Sequence, residues 1–278
     1  MGVMGLAEFL VTFRETLEAA LVIGIVYTFL IKSGRGELLP KLWSGVVAAL
    51  AASLVAAVFL QVVAGGLTGR LEEIFEGAVM ILAAVLLTTM IVWMARNRQV
   101  SKELQSKAQS ALTSTVGAGL AIFALAFVSV LREGIETVLF LYSVAINQGG
   151  LSLVTSVAGA AAAVSMGYLI FLQGRKVPLK TFFSVSSVLL ILLAGGLIAH
   201  GIHEFEEAGM IPYTGAVWDI NPPMLPDGRY PLFHEKGIIG AIAQGLFGWN
   251  GNPSLPEVSA WLASVTGITF LWKRASAG

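Results

Sequence analysis

The sequence predicts an all-α polytopic membrane protein of seven transmembrane helices, with the N-terminus outside and the C-terminus inside. Three observations carry this prediction. The chain is 56% hydrophobic and 12% charged, with a mean hydropathy of +0.82, too apolar for an ordinary soluble domain. Its apolar residues gather into runs long enough to cross a bilayer. Its Lys and Arg residues fall mainly on alternate connections between those runs, as cytoplasmic loops do.

The runs fall at about 6–31, 42–64, 74–95, 115–146, 151–172, 181–200 and 256–272. At a rise of 1.5 Å per residue the longer ones cross a hydrocarbon core of about 30 Å; the last is the shortest. Lys32, Arg35 and Lys41 lie between runs one and two, and Arg96, Arg98, Lys102 and Lys107 between three and four. Arg175, Lys176 and Lys180 lie between five and six, and Lys273 and Arg274 follow run seven. Trp43, Trp93 and Trp272 sit beside those basic loops, as an inner aromatic belt should. No basic region precedes the first run, so it is expected to stay as a helix and not be cleaved as a signal peptide.

The acids show the reverse bias. Glu8, Glu72, Glu73, Glu76, Glu204, Glu206, Glu207, Asp219, Asp227, Glu235 and Glu257 all map to the outer side. A negative vestibule concentrates cations, although positive-inside sorting by itself also leaves acids outside. The absence of cysteine excludes thiolate metal sites and disulfides, and leaves three His as nitrogen ligands.

Two strings break the apolar runs: Arg14-Glu15-Thr16-Leu17-Glu18 in the first and Arg132-Glu133-Gly134-Ile135-Glu136 in the fourth. Each such charge costs on the order of 3 kcal/mol at the bilayer centre, so the six must face one another or a wet path. Run one descends from outside while run four ascends from inside. The repeated string therefore predicts an inverted 3+3 helix repeat plus one extra helix, with a site near the midplane where the copies meet. Within a single membrane domain, 1–278, repeat one spans about 1–110, repeat two 111–207, an outer loop 208–254 and the last helix 255–273. Small residues at four-residue spacing, Ala48, Ala52 and Ala56 in run two and Gly159, Ala163 and Gly167 in run five, would allow close helix contact, a spacing alanine-rich spans also give by chance.

On a helix, Arg14, Glu15 and Glu18 share an arc of about 100°, and Arg132, Glu133 and Glu136 do the same. Each Arg can pair with the Glu four residues on, leaving the other Glu less compensated. If the two faces meet, four carboxylates surround one spot, a donor set suited to hard, highly charged cations. The plainer alternative is two ion pairs that lock helix packing, but such pairs do not need the second Glu. Two further clusters stand at the outer ends of runs three and six: Glu72, Glu73 and Glu76, and His200, His203, Glu204 and Glu207. Either forms an outer cation relay or a solvated helix end.

These residues resemble the oxidase-dependent iron transporters, a family comprising the fungal high-affinity iron permeases and the bacterial Efe-type permeases. Two Arg-Glu-x-x-Glu strings in the first and fourth of seven helices carry the likeness. The third-helix string Glu72-Glu73-Ile74-Phe75-Glu76-Gly77 adds to it, and the resemblance covers essentially the whole chain. It implies that Glu15, Glu18, Glu133 and Glu136 handle iron in the translocation path, with Arg14 and Arg132 as supporting charges and Glu72, Glu73 and Glu76 in its outer part. It also implies that iron, supplied as Fe2+, is oxidised by a separate extracytoplasmic oxidase or handed over by an iron-delivery protein, and enters as Fe3+. Iron is then the transported substrate and no prosthetic group is expected. One departure is Thr16, where the family more often has Gly, as at Gly134; a side chain there is expected to alter how closely helices one and four approach.

The expectation is a permease of the plasma or inner membrane, surrounded by lipid, with no catalytic residues and no nucleic-acid partner; a homo-oligomer is compatible with it. A permease for another metal such as Pb2+ or Mn2+ fits the same carboxylates. A membrane-embedded carboxylate metalloenzyme is a further alternative, although no His adjoins either string. A non-transporting assembly subunit with purely structural ion pairs is another. The Pro-rich outer loop, with Pro212, Pro222, Pro223, Pro226 and Pro231, reads as irregular; within it residues 237–249 are apolar enough to lie in the interface or dip back as a short helix.

Overall fold

A computed structural model describes residues 5–96, 100–112, 117–148, 150–171, 179–221, 230, 231, 234 and 238–277. Outside this set lie Arg98, Arg175, Lys176, Pro222, Pro223, Pro226, Asp227, Arg229, Glu235 and Lys236. The elements are α1 (Leu6–Lys32), a 3-10 turn (Gly36–Leu38), α2 (Leu39–Gly65), α3 (Arg70–Arg96), α4 (Val100–Leu112) and α5 (Ala118–Gln148), then α6 (Leu153–Phe171), α7 (Leu179–Glu207), α8 (Ile238–Phe247) and α9 (Leu255–Ala277). Extended pairing among the described residues is limited to one isolated bridge, Ala216 with Ser254.

Local chemistry sets the boundaries. α1 stops where Gly34 adopts a φ of +69° and the Arg35 amide donates back to the Leu30 carbonyl at 2.9 Å. α2 opens with Pro40 in its first turn, where a missing N–H costs nothing.

Among the described residues, five helical stretches are long and apolar enough to cross a membrane: Gly36–Gly65, Arg70–Arg96, Ala118–Ile146, Leu153–Phe171 and Val185–Glu207. They match runs two to six, and the chain is a multi-pass α-helical membrane protein. The other two expected spans form helices of sufficient length, but apolarity does not single them out. α1 carries Arg14, Glu15 and Glu18 through its middle, and α9 is diluted by Thr, Ser, Gly and Trp.

Helices pack in pairs: α1 along α6, α2 along α5 and α3 along α7, with α9 against α7 and α3, and α5 also touching α1 and α3. One apolar body joins α1, α3, α5, α7 and α9 through Val11, Met80, Leu87, Phe140, Leu197 and Ile268. A second joins α1, α2, α4 and α5 through Val26, Leu30, Leu42, Ala108 and Ile122. α1 and α5, the helices bearing the Arg-Glu strings, belong to both bodies.

The buried line on α2 is Leu42, Gly45, Ala49 and Ser53, one residue beyond the expected Ala48, Ala52 and Ala56, which are only half-buried. The smallest residues decide: a Cβ on Gly45 would lie 2.6 Å from the Phe123 carbonyl oxygen, so only glycine admits α5 there. On α6 the expected Gly159, Ala163 and Gly167 are buried, joined by Ser156. Gly134 faces Ser53 of α2, so its place in the string sets the α2–α5 approach.

Connections also hold helices, of which α4 was not expected. α4, in the loop between runs three and four, buries Leu104, Ala108 and Ala111 on one side of an otherwise polar sequence and packs on α5 and α1. α7 continues to Glu207, taking in the whole His200–Glu207 string. The apolar part of the long loop forms α8, which packs on α7, α5 and α1. At its end Gly248, with φ +66°, meets Gly196 so closely that a Cβ on Gly196 would lie 2.5 Å from the Gly248 Cα. Gly196 is eleven residues before the end of α7, about 16 Å along the helix. The segment thus dips back into the bundle, and the Trp261 indole caps it by donating to the Phe247 carbonyl at 2.8 Å.

Candidate metal centre

The two Arg-Glu strings meet where α1 touches α5. A helix places residues i, i+1 and i+4 on one side, so each string turns both its carboxylates toward the other helix. Glu15 is 1% exposed, and Glu18, Glu133 and Glu136 are also buried. Glu15, Glu133 and Glu136 each bring a carboxylate oxygen within 4.8 Å of the others, a spacing at which one ion can be held by all three. Glu18 stands beside this group, its Oε1 3.3 Å from the Arg14 Nε.

Cations compensate the cluster unequally. Arg14 is 1% exposed; its Nη1 is 3.9 Å from Glu15 and its Nη2 donates to the Met94 sulfur at 2.9 Å. Arg132 donates from Nε to Glu136 at 2.8 Å, lies over the Trp93 ring at 6.0 Å, and leaves 53% of its side chain uncovered. Much of the buried hydrogen-bonding capacity is unspent: Oε2 of Glu15, Glu133 and Glu136, Oε1 of Glu18, and Nε and Nη1 of Arg14 have no hydrogen-bond partner. Buried carboxylate oxygens without partners are costly, and a cation bound among them would offset that cost. Glu8 lies further along α1, buried, with Oε1 accepting from the Ser152 amide at 3.3 Å and Oε2 unpartnered.

The other acidic strings gather at a different place. Glu72, Glu73 and Glu76 occupy the start of α3, and His200, His203, Glu204 and Glu207 the end of α7. The crossing is tight because Gly77 faces the Gly201 carbonyl and the Phe205 ring. It brings Glu76 near Glu204 and Glu207, while Phe75 packs edge-on to Tyr142 at 6.3 Å. His200 Nε2 is 3.8 Å from Glu204, and His203 Nε2 is 3.3 Å from Glu207. Among the described residues, none of these acids joins the ligand-spaced group formed by the Arg-Glu strings.

A second ligand-spaced group combines His203, Glu206 and Glu257. The sequence marks His203 as part of a His/Glu string, whereas Glu206 and Glu257 stand out only as outer acids. One signal was available: Ser254-Leu255-Pro256-Glu257 has the capping-box pattern that opens a helix. In the fold the Ser254 amide donates to Glu257 at 3.0 Å, and the Glu257 amide donates to the Ser254 hydroxyl at 3.3 Å.

The model of the Iron permease FTR1 family matches residues 5–272. The chain is 30% identical to the ferrous iron permease EfeU of Yersinia pestis, covering 97% of this chain and 95% of that protein. It is 32% identical to the protein of the same name from Escherichia coli O6:H1, covering 91% and 90%. No solved structure matches the chain.

Proposed function

Because the chain belongs to the iron permease FTR1 family, and is a membrane transporter and not an enzyme, we propose that it imports iron through a midplane site lined by Glu15, Glu18, Glu133 and Glu136. The observation that carries this reading is the approach of three buried carboxylates from α1 and α5 to ligand spacing. Four carboxylates and two guanidiniums leave a net negative cluster, which a di- or trivalent cation neutralises. All-oxygen donors favour a hard ion, so Fe3+, formed from Fe2+ by a separate extracytoplasmic oxidase, is the species assigned to this site.

The route inward passes Arg132. An arginine at that depth does not face hydrocarbon, so its uncovered side chain beside Trp93 marks a wet approach to Glu136. Glu72, Glu73 and Glu76, with His200, His203, Glu204 and Glu207, form the outer approach. The inverted repeat is supported by the packing: exchanging α1 with α5, α2 with α6 and α3 with α7 turns the α1–α6 pair into the α5–α2 pair and the α3–α7 pair into itself.

A second reading has Fe2+ itself crossing, and it is favoured by the word "ferrous" in the names of the relatives. Radio-iron uptake into iron-starved cells lacking other importers tests both. Wild type should take up iron, and Glu133→Gln at matched membrane abundance should not; normal uptake by the folded variant would sink the site assignment. Uptake that persists with iron held reduced and the oxidase absent would select Fe2+.

A further inference from the structure

The group at the junction of α7 and α9 has donors unlike those of the midplane. We infer that His203, Glu206 and Glu257 form a separate binding site for a first-row divalent cation. The three ligand atoms lie within 4.8 Å of one another, and His203 Nδ1 is in hydrogen-bond contact with Glu257 Oε1 at 3.1 Å, a contact that an ion ligated by both atoms would replace. One imidazole with two carboxylates suits Mn2+, Fe2+ or Zn2+ better than a hard trivalent ion.

The surrounding hydrogen bonds hold each ligand in place. His203 Nε2 lies 3.3 Å from Glu207; an N–H donated there leaves the Nδ1 lone pair for a metal. Glu257 Oε2 accepts from the Asn250 amide at 2.7 Å, and Oε1 accepts from the Ser254 amide, so the carboxylate is fixed in place. Glu206 Oε2 accepts from the Ser254 hydroxyl at 2.7 Å, whereas its Oε1 is buried with no hydrogen-bond partner in a side chain 7% exposed. That orphaned oxygen independently points to a cation ligand, because an unpaired buried carboxylate oxygen is expensive. Glu206 and Glu207 also end α7, where the helix dipole adds negative potential. His203 is 31% exposed, which gives an ion access from water.

Pulsed electron paramagnetic resonance of the full chain in detergent, loaded with Mn2+, tests the inference. The wild type should show nitrogen coupling from the imidazole, which the all-oxygen midplane site cannot give. His203→Gln should abolish that coupling and lower the bound Mn2+ by one equivalent. Glu206→Gln keeps an acceptor for Ser254 and so preserves the fold, yet should weaken this ion's binding at least tenfold. Absence of nitrogen coupling in the wild type, its persistence in folded His203→Gln, or unchanged affinity in Glu206→Gln would overturn the site. The readout does not depend on transport, so it fails or succeeds separately from the midplane assignment.

Discussion

Arg14 and Arg132 hold the same place in two like strings but meet different surroundings. Arg14 is enclosed by Glu15, Glu18 and Met94, whereas half of Arg132 is uncovered. Removing one partner of a buried pair costs about 3–5 kcal/mol because the other charge is left unpaired. Arg14→Ala should therefore lower stability in detergent by about that amount, and Arg132→Ala by distinctly less, measured as the shift of the thermal unfolding midpoint. Equal shifts would show that Arg132 is as enclosed as Arg14. Arg14→Lys should recover only part of the loss, since an ammonium cannot serve Glu15, Glu18 and Met94 from three nitrogens at once. The pairing of each Arg with the Glu four residues on was legible in the sequence, because helix geometry alone fixes it. The unequal enclosure was not, because it depends on Met94 and Trp93, eighty and thirty-nine residues away in the chain.

Among the elements, the close crossings rest on single glycines. A Cβ on Gly134 would run into the Ser53 side chain of α2, whose hydroxyl already donates to the Ala49 carbonyl at 2.9 Å. Gly134→Ala should therefore destabilise by about 1–3 kcal/mol, as overpacking does. Adding Ser53→Gly removes the colliding atoms and should restore most of the unfolding midpoint; no recovery would mean that Gly134 acts through backbone freedom and not through this contact. Gly196→Val faces backbone, which has no side chain to turn aside. It should push α8 outward, detectable as faster proteolysis of the 209–254 segment. The apolar 237–249 stretch announced a segment able to dip inward, but the depth it reaches depends on the Gly196–Gly248 contact, a pairing that no local pattern encodes. α4 escaped notice for a different reason: Leu104, Ala108 and Ala111 make a narrow apolar stripe in a sequence whose charges read as a loop.

For the whole molecule, the bilayer supplied most of what could be read in advance. Five spans follow from apolar length because an unpaired backbone in lipid is too costly for any form but helix or closed barrel. α1 and α9 are harder: Arg14, Glu15 and Glu18 interrupt one, and modest apolarity weakens the other, so the number of crossings is best measured. The absence of cysteine makes single-cysteine labelling direct. Ser33, Tyr213 and Lys273 are exposed, after α1, after α7 and near the end of α9. With seven crossings and the N-terminus outside, an impermeant maleimide added to intact cells should label Tyr213→Cys and leave Ser33→Cys and Lys273→Cys unreacted until the membrane is opened. If α9 lies on the outer surface without crossing, Lys273→Cys will react together with Tyr213→Cys. Labelling of Ser33→Cys with Tyr213→Cys silent would invert the orientation. It would then place the His203–Glu206–Glu257 group and the α3 acids on the cytoplasmic side, where they would serve metal release instead of capture.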